Sequence, residues 1–192
     1  MRRPRYSFAD DAIFKVPELD LMKAAMIVAT RLNISHLIWS LTATSPFTIT
    51  TNTSAIANAL PQQHQRQFDH LPDNLRPTRA QLTHPHHPLL DLLPWPSVRE
   101  KLCRIFSLPA EKRPPCAASP TALLELVYDI EDSAEGVRVW GDDPCSDKSW
   151  EVGEKLFVNW WWALDRDVIS RSNEMRRARG AKLLGQGSIL GV

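Results

Sequence analysis

Apolar residues recur at helical spacing from the first proline able to open a helix. Leu21, Ala25, Val28 and Leu32 form one stripe; Leu19, Met22, Met26 and Ala29 form a second. The pattern predicts a helix from about Pro17 to Ala43 with a wide buried surface. Pro17 suits the first turn, and Glu18 and Asp20 favour the positive end of the helix dipole. Ser45-Pro46 stops it. Periodicity is then lost across residues 44–88. Thr48 to Ser54 is rich in Thr and Asn, and Gln62 to Gln67 is polar. A short helix fits Ser54 to Leu60, ended by Pro61, and a mobile loop is expected over about 48–70. From Leu71 onward, Pro72, Pro77, Pro85, Pro88, Pro94 and Pro96 forbid a long helix. Leu89, Leu90, Leu92, Leu93 and Trp95 still supply apolar anchors, so this stretch reads as an extended strap with a helical turn.

Pro96 opens a helix to about Leu108, with Val98, Leu102, Ile105 and Phe106 on its apolar face. Lys112 to Ser119 reads as a loop. Ser119 and Pro120 can start a helix carrying Leu123, Leu124, Val127 and Ile130 to about Glu131. Gly136 to Gly141 brackets a short extended piece. Trp150, Phe157, Trp160, Trp161 and Leu164 fit one face of a helix capped by Asp147 or Ser149. A last helix is expected from about Asp167 to Lys182. The fold class is therefore mainly α: a single helical domain with a proline-rich extended strap and a short extended segment near 137–140. Residues 1–16 read as a disordered basic tail, 17–184 as the domain, and 185–192 as a flexible C-terminus.

The 192 residues suit one domain, and 43% hydrophobic content is enough for a packed core. A formal net charge of +1 argues against a free-standing, strongly basic nucleic-acid binder. The charge is segregated, however. Residues 125–154 hold ten acids and two bases, whereas residues 155–192 hold seven bases and three acids. Such blocks are expected to meet in the fold. Cys103, Cys116 and Cys145 cannot form a closed disulfide framework, which suits a reducing compartment. The basic start is followed at once by Asp10 and Asp11, unlike a signal peptide, and no apolar run approaches the roughly 20 residues of a bilayer span. A soluble, intracellular chain with no membrane contact is expected.

Candidate chemistry is sparse. Trp160-Trp161-Trp162 could serve a ligand pocket or a stacking platform. Consecutive helical positions lie about 100° apart, so they cannot share one flat surface, and packing is favoured. Trp161 and Trp162 remain a candidate ligand or partner surface. His84, His86 and His87 cluster, but no companion ligands stand at metal-binding spacing, so turn hydrogen bonding is favoured over a metal site. The cysteines have no C-x-x-C spacing, and no phosphate-binding glycine motif is present. Glu125, Asp129 and Asp132 read as a solvated acidic face. Arg171, Arg176, Arg177, Arg179 and Lys182 form the best basic cluster, suited to pairing with the acidic block before phosphate contact. No catalytic residue, cofactor or metal is assigned.

An ordered set of motifs then stands out. Leu71-Pro72, Leu75-Arg76-Pro77-Thr78, Gln81-Leu82-Thr83, Pro85-His86-His87-Pro88 and Asp91-Leu92-Leu93-Pro94-Trp95-Pro96 follow one another. They resemble the LP..LRPT..Q…PHHPW.D..PFP..R pattern of a fungal domain of unknown function. That domain is found C-terminal to the basic leucine-zipper region of fungal bZIP-like transcription factors. Val139-Trp140-Gly141-Asp142, then Trp150-Glu151-Val152, Phe157 and Trp160, resemble its WGDP…WE…F..KW segment. Ser172-Asn173, Arg176-Arg177 and Arg179-Gly180 resemble its closing TN.WR..RG. Leu89 and Met175 stand where that pattern has Trp, and Ala181 where an acid is common. No basic region or leucine heptad precedes residue 18, so direct sequence-specific DNA binding is not expected.

The resemblance implies a non-catalytic regulatory or protein-interaction domain, nuclear or otherwise cytoplasmic. It would have protein partners or a homodimer and no cofactor. Its signature residues here are Arg76, Pro77, His86, His87, Pro88, Asp91, Pro94, Trp95, Trp140, Gly141, Trp150, Glu151, Trp160, Asn173, Arg176, Arg179 and Gly180. Two alternatives stand beside it. One is a small-molecule sensor with a Trp/Leu-lined pocket and Arg76, His86 and His87 at its mouth. The other is a metal-assisted hydrolase using His84, His86 and His87.

Overall fold

A computed structural model describes residues 17–49 and 67–186 of the chain. The expected basic tail (1–16), the short helix at Ser54 to Leu60, most of the expected loop and the last six residues lie outside the described residues.

The first helix, α1 (Pro17–Arg31), stops well before Ala43. Asn33 takes a left-handed conformation (φ 57°). Its N–H donates to the Thr30 carbonyl and the Ile34 N–H to the Ala29 carbonyl, the paired bonds that close a helix at its C-terminus. Ile34 is fully buried there, so the apolar pattern continues although the helix does not. Successive turns carry the chain on to Ala43. The buried face cuts across the two stripes: Leu21, Ala24, Val28, Ala29 and Leu32 face inward, while Met22 and Ile27 face out.

The strap is more structured than the prolines suggest. It holds a 3-10 turn at Asp73–Leu75, the short helix α2 (Arg79–Thr83) and a second 3-10 turn at Pro88–Leu92. Thr78 and Gln81 form a reciprocal capping box that starts α2. The outer limits of the expected 48–70 loop are also placed in the fold. Ile49 donates to the Leu82 carbonyl, and Gln67 to His70 closes a turn beside Leu71.

Then follow α3 (Pro96–Phe106), α4 (Pro115–Ala118), α5 (Ala122–Glu131), α6 (Glu154–Trp160) and α7 (Arg166–Ala178). The expected loop at Lys112 to Ser119 thus contains α4. Two short strands, β1 (Arg138–Val139) and β2 (Trp150–Glu151), pair antiparallel, with Val139 opposite Trp150. Trp150 is therefore on a strand and not on the helix of Trp160, a correction to the helical-face reading. Gly153 separates the two: a Cβ there would stand 2.1 Å from the Glu135 carbonyl oxygen. Only glycine lets the β2–α6 junction touch the turn after α5 this closely. Gly180 (φ 71°) ends α7 with the same paired bonds as Asn33, from Gly180 to Arg177 and from Ala181 to Arg176.

The core gathers leucines and indoles from all these segments. Trp95 and Trp150 meet edge to face at 6.4 Å, and Trp160 packs on Phe106 and Trp162. The strap lies on α3 and α1, α5 on α6, α1 on β1, and α7 on β2. No helix among the described residues is long and apolar enough to cross a membrane.

Candidate functional site

The motif residues collect into two buried polar networks. The first lies under the strap. Proline denies this segment regular backbone pairing, so its carbonyls need other donors. Arg99, fully buried on α3, supplies them. Its guanidinium donates to the carbonyls of Asn74 (2.8 Å), Leu93 (2.7 Å) and Arg76 (2.8 Å), and to Gln81 Oε1 (3.0 Å). Gln81 passes the chain of bonds to Asp91 Oδ1 at 2.6 Å, and His86 Nε2 reaches the same oxygen at 2.7 Å. Asp91 Oδ2 is buried and finds no partner among the described residues. Burial pulls the Arg99 guanidinium down to about 10, with Asp91 opposing, which leaves it charged at neutral pH.

His86 is held by acceptors on both sides. Nδ1 faces the His84 carbonyl at 2.8 Å, and Nε2 faces Asp91. Only an imidazolium donates to both. Burial alone would lower its pKa, but the hydrogen bond and attraction of Asp91, with the His84 carbonyl, raise it above 6.5. A raised folded value means the stabilisation is complete below about pH 6.5 and is lost as pH climbs through the folded pKa. Urea midpoints should therefore fall from pH 6 to pH 9 in the wild type and follow a flatter course in His86→Gln. Parallel pH profiles for the two chains would contradict this assignment.

His87 acts differently. Its Nδ1 accepts from the Leu89 N–H, and its Nε2 donates to the Ser40 carbonyl at 2.8 Å, tying the strap to the turns after α1. His84 bonds locally within the α2 end. The three histidines thus serve separate partners. Among the described residues no three His, Cys, Asp or Glu side chains converge on a metal position. Arg76 is half-exposed and pairs with Asp73 and Asp69. Arg76, His86 and His87 therefore do not share a pocket mouth, which corrects that expectation. Pro77 precedes the capping Thr78 and Pro88 opens the second 3-10 turn. The Pro94 carbonyl accepts from Asn74.

The second network joins the acidic and basic blocks, as their segregation predicts. Glu151 on β2 is fully buried. Arg179 grips it at 2.7 Å, Arg176 lies 3.7 Å away, and Trp140 Nε1 donates to its other oxygen at 3.0 Å. Arg176, also fully buried, binds Glu135 at 2.9 Å and the Lys182 carbonyl. Lys182 pairs with Glu154, and Asn173 clamps Leu184 through both backbone groups. Gly141 (φ 75°) turns the chain after Trp140, whose ring borders an open groove against Lys23 and Ile27 of α1. The basic cluster thus divides between structural pairs and solvent: Arg171 meets Glu174 on the surface, and Arg177 is exposed.

The three indoles diverge. Trp160 is buried, its Nε1 on Asp129 at 2.9 Å. Trp162 is half-buried against Trp160 and donates to Cys116 Sγ. Trp161 is 62% exposed, and Val158, one turn earlier on α6, is 52% exposed. Trp161, without Trp162, is the surface residue. Asp129 is likewise not part of a solvated acidic face: it is buried and also accepts from Asn159. Arg99, Glu135 and Val158 are not singled out in the sequence, and Gln81 stands there only within the strap motif, with no role. Arg99 occupies the closing arginine of the strap pattern, and Thr78-x-x-Gln81 is a capping-box signature, so both carried a readable signal.

No curated protein and no solved structure matches the chain. The family model described as Domain of unknown function (DUF3425) matches residues 55–170. That span holds the whole strap network, Glu135, Glu151 and the three indoles, and the chain belongs to this family.

Proposed function

We propose that the chain works as a non-catalytic regulatory or protein-interaction domain of the fungal bZIP-like transcription-factor type, acting in the nucleus through a protein partner or a second copy of itself. One observation carries this reading. The polar signature side chains His86, Asp91, Glu151 and Arg176 are buried in bonds that hold the fold, while large apolar groups, Trp161 and Val158 among them, are exposed to solvent. Motif polarity spent on architecture, beside an outward indole, suits recognition better than turnover.

The test joins the full chain to a heterologous DNA-binding domain upstream of a reporter, with affinity capture from fungal nuclear extract. The expected result is a changed reporter output and a specific partner, both weakened in Trp161→Ala/Val158→Ser. That surface variant should keep its melting behaviour within about 0.5 kcal/mol of wild type. Silence of the reporter together with no captured partner would refute the reading.

A further inference from the structure

A cleft of about 240 Å³ opens where α1, the strap and α5 come together. Met22 and Ala25 form its α1 side, Leu89 and Leu92 its strap side, Val127 and Ile130 its α5 side. Trp150 closes the back, 3% exposed, with its Nε1 already committed to the Pro144 carbonyl at 2.8 Å. The indole thus presents only carbon to the cleft. No side-chain donor and no cation stands in the lining; the one charged group is the exposed Glu131, at the C-terminal end of α5.

Water that enters the cleft finds almost no hydrogen-bond partners among these side chains, so a small apolar guest that displaces it is favoured. At about 30 Å³ per water-sized group the cleft holds roughly eight non-hydrogen atoms. The Glu131 carboxylate and the negative end of the α5 dipole repel an anionic head group, which excludes fatty acids. The Met22 thioether and the Trp150 ring favour an aromatic guest over a linear aliphatic one.

We propose that this cleft is a binding site for a compact, neutral aromatic molecule of about the size of indole. The site stands independently of the proposed function, since Trp161 and Val158 do not line it.

The experiment uses the full chain with indole as the probe and octanoate as the anionic control, followed by saturation-transfer NMR and by thermal melting. Saturable indole binding with a raised melting temperature is expected, and none with octanoate. Leu89→Trp and Val127→Phe each fill the cleft, and each should weaken indole binding at least tenfold; circular dichroism selects whichever variant folds as wild type. Ile27→Ala, on the outer face of α1, should bind as wild type. Folded wild-type protein that shows no saturable indole signal would overturn the proposal. So would binding that a folded filled variant leaves unchanged, or octanoate binding as tightly as indole.

Discussion

Arg99→Met is expected to leave the chain unable to fold cooperatively at 25 °C. The substitution keeps the volume of the side-chain stem and removes the five-donor head. Three strap carbonyls, those of Asn74, Leu93 and Arg76, lose the Arg99 donor, while Gln81 Oε1 keeps only the Thr78 N–H. Each buried acceptor left unpaired costs about 1–3 kcal/mol. Asp91 also loses one of its two neighbouring positive charges and keeps only the His86 imidazolium, which adds to the cost. The combined loss is of the order of the whole stability of a domain, about 5–15 kcal/mol. Arg99→Lys should rescue little, because one ammonium cannot span four acceptors held in a planar fork. Far-UV circular dichroism with urea titration would decide. A cooperative transition in Arg99→Met within about 2 kcal/mol of wild type would mean that the strap is held by its leucines alone.

Local pattern suffices for some elements of the fold. The α3 helix could be read because Pro96 starts it and its apolar face faces the core. The extended pair of residues after Gly136 is also a local matter of backbone freedom, whereas the last helix, expected to reach Lys182, ends at Ala178 ahead of Gly180. The meeting of the acidic and basic blocks was readable as charge. Two readings failed for a shared reason: side-chain periodicity does not report backbone conformation. Ile34, Leu37 and Ile38 continue the spacing of α1, yet Asn33 has already closed the helix. Trp150 stands at helical offsets from Trp160, yet Gly153 intervenes and Trp150 pairs with Val139 across two strands. The strap network was hidden for another reason. Arg99 meets carbonyls up to 25 residues away, and a carbonyl in need of a donor leaves no mark on residue type. An arginine on a short amphipathic helix reads as solvated until the prolines upstream are counted as acceptors without local partners.

Glu151→Gln should cost about 3–5 kcal/mol, nearly all of it electrostatic. The amide keeps the shape of the side chain and can still accept from Trp140 Nε1. What it removes is the buried negative charge facing Arg176 and Arg179. Arg176 Nη2 is already buried without a hydrogen-bond partner among the described residues, so Arg176 depends on charge neutralisation more than on bond count. Glu135 supplies part of it. Burial would raise the Glu135 carboxyl, but the hydrogen bond from Arg176, joined by the Glu154 N–H, holds it below its ordinary value of 4.5. A depressed folded pKa gives stabilisation that is complete above about pH 4.5 and lost as pH falls through the folded value. Glu151→Gln should therefore unfold at a higher pH than wild type on acid titration. The decisive measurement is a double-mutant cycle. If Glu151 and Arg176 act as one unit, Glu151→Gln combined with Arg176→Met should lose at least about 1 kcal/mol less than the sum of the single losses, since the double variant buries no unmatched cation at position 176. Additive losses would show that the two residues stabilise the β2–α7 contact separately and that the meeting of acidic and basic blocks is geometric coincidence.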